Sequence, residues 1–114
     1  MRRPKTKRVF ICSRYIGDIE HNVEVALSLC RMAIDAGCAP FAPHLLYTRF
    51  LDENDPAQRE LGISLGLRFM EACEEVWVFT GEGISDGMRR ELEHAKALGK
   101  PVIELREVRP CVLT

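Results

Sequence analysis

Residues 75–105 read EVWVFTGEGISDGMRRELEHAKALGKPVIEL. Glu75–Thr80 is rich in β-branched and aromatic side chains, which predicts a strand. Gly81–Gly83 interrupts it. Ser85 or Asp86 then offers an N-cap, because a short side-chain oxygen accepts one of the unpaired amide protons of a helix start. Beyond the cap, Met88, Leu92, Ala95 and Leu98 return every three or four positions, the period of an amphipathic helix, and Gly99 closes it. Pro101–Leu105 is apolar again and predicts another strand. Strand, helix, strand at this spacing is the crossover that joins parallel strands.

The same alternation extends toward the N-terminus. Arg8–Ser13 (RVFICS) predicts a strand buried on both faces. Arg14–Asp18 breaks the pattern, and from Ile19 the apolar residues Val23, Leu27, Cys30 and Ile34 predict a helix ended by Gly37. Cys38–Pro43 predicts a short strand, placed at an edge by its prolines. His44–Asn54 predicts a polar-aromatic loop. Asp55 as N-cap, Pro56 at the first helical position and Gln58 two residues later form a relative of the capping box, opening a helix to about Ala72. Gly62 and Gly66 lie four apart on that helix and predict close approach of the sheet, a second subunit or a ligand. The resulting β-α-β-α-β-α-β order predicts an α/β, Rossmann-like or flavodoxin-like three-layer sandwich. Its sheet should have four to five mostly parallel strands with right-handed crossovers. Residues 106–114 would add an edge strand or a subunit contact.

The 114 residues carry 16 Lys+Arg against 17 Asp+Glu, a net charge of −1. This balance argues against a nucleic-acid polymer as partner, which normally demands a basic excess. With 46% hydrophobic and 29% charged residues, the composition is that of a globular domain rather than a disordered chain. One domain over residues 8–114 is expected, after a basic leader over 1–7. No apolar run reaches the roughly 18 residues of a membrane span, so no membrane partner is expected. The five cysteines show neither CxxC pairing nor zinc spacing. They read as reduced thiols of a cytoplasmic protein, with no metal site.

Ligands of open parallel sheets bind beyond the carboxyl ends of the strands, which selects Ser13–Asp18, His44–Phe50 and Thr80–Asp86. Neither GxGxxG nor a Walker A loop is present, and no cofactor is expected. Ser13, Arg14 and the amides near Gly17 suit an anion at a helix start, or form only a turn with an exposed arginine and Asp18 as cap. Ser85 and Gly87 open the helix after the third strand. Glu91, near the sheet-facing side, is either a nucleophile or an ordinary helix glutamate paired with Arg or Lys; Glu93 turns away. His21 and His94 read as surface residues. His44 binds substrate or hydrogen-bonds a loop carbonyl. Tyr15, Tyr47 and Phe50 stack on a base or fill the core, and Trp77 reads as core.

SRYIGD (13–18), APFAPHL (39–45) and SDGMRRELEHAKALGKPV (85–102), in this order, resemble the nucleoside 2-deoxyribosyltransferase-like superfamily, most closely its small bacterial and phage members, over Val9–Leu105. The resemblance implies a Rossmann-like sheet, a homodimer or larger assembly with sites near subunit interfaces, and a nucleoside or nucleotide ligand. It also implies N-glycosidase or deoxyribosyltransferase chemistry. The family's nucleophilic glutamate sits in a Ser/Gly-x-Gly-x-x-x-Glu segment. Ser85 to Glu91 matches that spacing, which makes Glu91 the implied nucleophile. Ser13, Arg14, Ser85 and Gly87 would then surround a phosphate or sugar hydroxyls. Tyr15 would approach base or sugar; Gly17, Asp18 and His44 join the expected substrate site from the strand-end loops rather than from the resemblance. Relatives usually carry an acidic Asp on the helix before the third strand, whereas here QRELGISLGLRFMEAC has none. A nucleotide-binding or sensing module without turnover is therefore the alternative, and a structural partner using the glycine-bearing helix face is a third reading.

Overall fold

The computed structural model describes residues 6–110. The basic leader falls largely outside them, as does the tail from Cys111 to Thr114. In chain order the elements are β1 (Arg8–Cys12), α1 (Ile19–Asp35), β2 (Ala39–Phe41), two single 3₁₀ turns (Pro43–Leu45 and Tyr47–Arg49), α2 (Pro56–Met70), β3 (Glu75–Phe79), α3 (Asp86–Ala97) and β4 (Val102–Leu105). The strands form one parallel sheet in the order β2-β1-β3-β4. After β2 the chain crosses to the other side of β1, so the connections leaving β1 and β3 diverge at their carboxyl ends. That divergence opens a crevice there.

Alternating side chains of the central strands build two cores. Phe10, Cys12, Val76 and Val78 face Met70, Met88 and Ala95, on the side of α2 and α3. Val9, Ile11, Trp77 and Phe79 face Leu29 and Ala33 of α1. All five β3 residues are buried, as a strand covered on both faces requires. Pro40 pairs with Val9 on edge strand β2, where a missing N–H costs no ladder bond. At the amino ends of the strands, Arg8 clamps Glu74 through its backbone amide (2.8 Å) and guanidinium (3.0 Å). These bonds hold the Glu74 carboxyl at about 2.

Several expectations shift. Residues 106–110 form no strand, so the sheet has four strands among the described residues. The buried stripe of α1 is Asn22, Ala26, Leu29 and Ala33, one position before the predicted series, and Ile34 is 57% exposed. Small side chains at 26 and 33 let the helix lie close to the sheet, leaving larger ones at the margin. His94 is half-buried and its Nε2 is shielded without a partner, so it is not a surface residue. The predicted loop contains the second 3₁₀ turn, and the first begins at Pro43, inside the predicted strand, which ends at Phe41 instead. Asp55 caps α2 by accepting from the Ala57 amide at 3.0 Å. Gln58 donates to the Asp55 side chain and accepts from the Asp52 amide, rather than reaching back to the cap's own N–H.

The glycine pair of α2 is explained within the chain. A Cβ on Gly66 would stand 3.2 Å from Pro43 Cβ, and one on Gly62 would stand 3.4 Å from Leu51 Cδ1. Within the chain the close neighbour is thus the segment after β2 rather than the sheet. Replacing Gly66 by Leu should overpack this seam and lower the unfolding free energy by about 1–3 kcal/mol in a urea titration. An unchanged midpoint would refute this packing.

Candidate functional site

A cavity of about 310 Å³ opens at the crevice, within the range of small-ligand sites. Four segments wall it. The loop after β1 supplies Arg14, Tyr15 and Ile16. The segment after β2 supplies Pro43, His44, Tyr47 and Glu53. α2 supplies Arg59, Gly62 and Ile63, and the start of α3 supplies Ser85, Asp86, Gly87 and Glu91.

The start of α3 is fixed by its cap: Ser85 Oγ accepts from the Met88 amide at 3.2 Å. One turn further on, Glu91 shares the buried stripe with Met88 and Ala95. It is 5% exposed, and its Oε1 has no hydrogen-bond partner. Burial pushes its pKa up to about 8, which the neighbouring Cys12 thiol only partly offsets. Glu91 makes no ion pair among the described residues. The arginine beside it, Arg90, instead grips Glu60 of α2 at 2.6 and 2.9 Å and joins the two helices that flank the cavity. Glu93 is exposed. Cys12 lies beneath Glu91 with its Sγ 3.7 Å from the Met88 carbonyl. Burial and the Glu91 charge hold the thiol well above its ordinary pKa, which suppresses thiolate reactivity.

The opposite wall is aromatic. Tyr15 stacks on His44 with ring centroids 5.2 Å apart and an interplanar angle of 25°. Burial lowers His44 to about 4, against a hydrogen bond to the Ser13 backbone that pulls the other way; the imidazole is neutral at pH 7. Thr48 Oγ1 donates to the His44 carbonyl at 2.6 Å and so anchors this wall. Asn22 of α1 donates to the Tyr15 carbonyl at 2.9 Å and holds the loop after β1 on the helix. Tyr47 packs edge-on to Phe41 and Phe50, and Phe50 lies outside the cavity lining, 63% exposed.

Of the site residues singled out in the sequence, Arg14, Tyr15, His44, Tyr47, Ser85, Gly87 and Glu91 line the cavity. Besides Phe50, Ser13, Gly17 and Asp18 do not. Ser13 is buried at the end of β1 with an unpartnered hydroxyl. Gly17 supplies a φ of +114°, which favours glycine. Asp18 caps α1, accepting from the His21 amide at 3.2 Å. Arg14 donates through Nε to the Glu82 carbonyl at 3.0 Å, which ties the loops after β1 and β3 together, and His21 meets the Glu82 carboxylate at 2.9 Å. Sequence reasoning missed Glu53, Arg59 and Ile63. A Cβ on Gly87 would lie 4.0 Å from an Arg59 terminal nitrogen, so this guanidinium reaches across to the α3 start. Its signal was present: residues 59, 62, 63 and 66 share the helix face that the glycine pair marked.

Two guanidiniums and the amide-rich start of α3 favour an anionic group at one side of the cavity. A buried carboxyl occupies its floor and a stacked aromatic pair its wall. A family model described as a domain of unknown function, DUF7768, matches residues 7–105. The chain belongs to that family. This DUF7768 chain superposes on a 2-deoxyribosyltransferase from the bacterium Bacillus psychrosaccharolyticus with a TM-score of 0.69 at 17% identity, covering 85% of this chain and 70% of that one. It superposes on the Clostridium botulinum CMP N-glycosidase BcmB with a TM-score of 0.54 at 21% identity, covering 86% and 67% respectively. These likenesses show that the chain shares the fold of those two enzymes. No curated protein matches the chain significantly. Among the described residues, no helix is long and apolar enough to cross a membrane.

The buried carboxyl has a measurable signature. An unfolded glutamate ionises near 4.5 while Glu91 holds its proton to about 8, so between those values the folded state binds the extra proton and stability falls as pH rises. His44 acts in the opposite sense, but only below its ordinary 6.5. From pH 6.5 to 8, denaturant titrations should therefore show wild type losing about 1–2 kcal/mol more than Glu91→Gln. Parallel curves for the two proteins would show that Glu91 is ionised throughout.

Proposed function

We propose that this DUF7768 chain is a nucleoside or nucleotide N-glycosidase, or a deoxyribosyltransferase-like enzyme, that cleaves the base–sugar bond through Glu91. The observation that carries this reading is the buried Glu91 carboxyl on the floor of the cavity, with one oxygen left open. The Ser85-to-Glu91 spacing and a fold shared with a 2-deoxyribosyltransferase and a CMP N-glycosidase support it.

In this mechanism a Glu91 oxygen attacks the anomeric carbon as the bond to the base breaks, through an oxocarbenium-like transition state. Water then hydrolyses the glycosyl ester, or a second base accepts the sugar. Burial favours the neutral carboxyl. Sugar hydroxyls donating to the open oxygen, and positive charge developing on the sugar ring, favour the ionised nucleophile. Arg14, Arg59, Ser85 and the Gly87 amide region are suited to a phosphate or to sugar hydroxyls, and the Tyr15–His44 stack to a base or sugar face. Ser13, Gly17 and Asp18 support the site from behind the lining. A cytoplasmic homodimer or larger assembly is part of the proposal.

Product analysis across nucleosides and their 5′-monophosphates tests it. Wild type should release free base, and Glu91→Gln, which keeps the shape without the nucleophilic charge, should lose turnover while retaining ligand binding by calorimetry. No base release by wild type from any member of the panel, or a Gln variant as fast as wild type, overturns the reading. Binding without base release by wild type would instead identify a sensing module, for which the absence of an Asp on α2 is the motivating feature.

A further inference from the structure

The mechanism calls for a proton at the departing base. A nucleobase departs far more readily when an acid protonates it as the bond breaks, an effect worth about 10²–10⁴-fold. On α2 the cavity is lined by Arg59, Gly62 and Ile63, none of which is a proton donor at neutral pH. His44 is neutral, held at about 4. Asp86 is an exposed first-turn carboxylate paired with Arg89, and that hydrogen bond lowers its pKa. Burial raises the pKa of the Tyr47 phenol and makes it a weaker acid. Glu91 is committed as the nucleophile.

Glu53 is the remaining carboxyl of the cavity. It stands in the segment between the second 3₁₀ turn and α2, on a separate wall from α3. It is half-buried, and its carboxyl makes no hydrogen bond or ion pair among the described residues. We propose that Glu53 is the proton donor to the departing base, the part that the resemblance implies for an aspartate on α2. This rests on the glycosidic reading of the site. Its environment fits the role: partial burial and the neighbouring Asp52 raise its pKa, outweighing the nearby Arg59 guanidinium. The two carboxyls come from different elements and line one cavity, which suits the division of labour between two carboxyls in glycoside cleavage.

The step balances. The bond between C1′ and the base nitrogen breaks with its electron pair moving to the nitrogen. A Glu91 oxygen bonds C1′, and the Glu53 carboxyl proton passes to the base. Water then attacks C1′, leaving its OH on the sugar and its other proton on Glu53, and Glu91 departs as carboxylate.

The test compares wild type, Glu53→Gln and Glu53→Asp on the best substrate of the nucleoside and nucleotide panel. The same proteins are assayed on the 4-nitrophenyl glycoside of the same sugar, whose phenolate leaves without a proton. Glu53→Gln should lose about 10²–10⁴-fold in kcat on the nucleoside or nucleotide and change little on the aryl glycoside. Glu53→Asp, which keeps an acid, should recover part of the loss. An unaltered Glu53→Gln, or an equal loss with both leaving groups, overturns the assignment of Glu53 and leaves the role of Glu91 standing. A wild type that cleaves neither substrate overturns both.

Discussion

The pairing of β1 with β3 is the constraint on which the rest of the molecule depends. These strands run parallel with Phe10 opposite Val76 and Cys12 opposite Val78, and they supply most of both cores. The chain reaches β3 only after visiting β2 on the far side of β1. The loops that leave β1 and β3 therefore part company above the sheet, and no backbone fills the space between them. The cavity is a consequence of strand order before it is a matter of side chains. Arg14, donating to the Glu82 carbonyl, and His21, meeting the Glu82 carboxylate, brace the two loops across the gap.

Burying Glu91 costs stability. A carboxyl in an apolar stripe is unfavourable unless it is hydrogen-bonded, and here one oxygen has no partner. Protonation relieves this, since burial raises the pKa to about 8. The energetic penalty is then paid by neutralisation, and a ligand that donates to the open oxygen relieves it further. Glu74 shows the contrast. Its carboxylate is held ionised by two kinds of hydrogen bond from Arg8 and serves to lock the amino ends of the strands. Two glutamates in one small fold thus take opposite charge states because one faces donors and the other faces sulfur and hydrocarbon.

The fold was legible because strands buried on both faces leave unbroken apolar runs, and RVFICS and EVWVFT are such runs. Helix caps were legible for a local reason: Ser85 and Asp55 each bond an amide within three residues. The buried face of α1 was less legible. Alanine packs against a sheet more closely than isoleucine, so hydrophobicity alone pointed one position too far along. His94 likewise follows a helix period that places it outside, yet α3 sits deeply enough to shield its ring.

By itself the sequence determined the parallel α/β architecture, the strand-end loops that border the cavity, and the Ser85-to-Glu91 spacing. Each is a local property of periodicity, capping and turn chemistry. Only the tertiary structure decided which residues meet. It withdrew Ser13, Gly17 and Asp18 from the cavity lining, because their backbone and capping duties turn them elsewhere. It brought in Glu53 and Arg59 from a segment and a helix distant in the chain. Whether a glutamate is an ordinary surface acid or a buried one with a pKa near 8 depends on the groups packed around it, and those are chosen by strand order and helix depth rather than by neighbours in sequence.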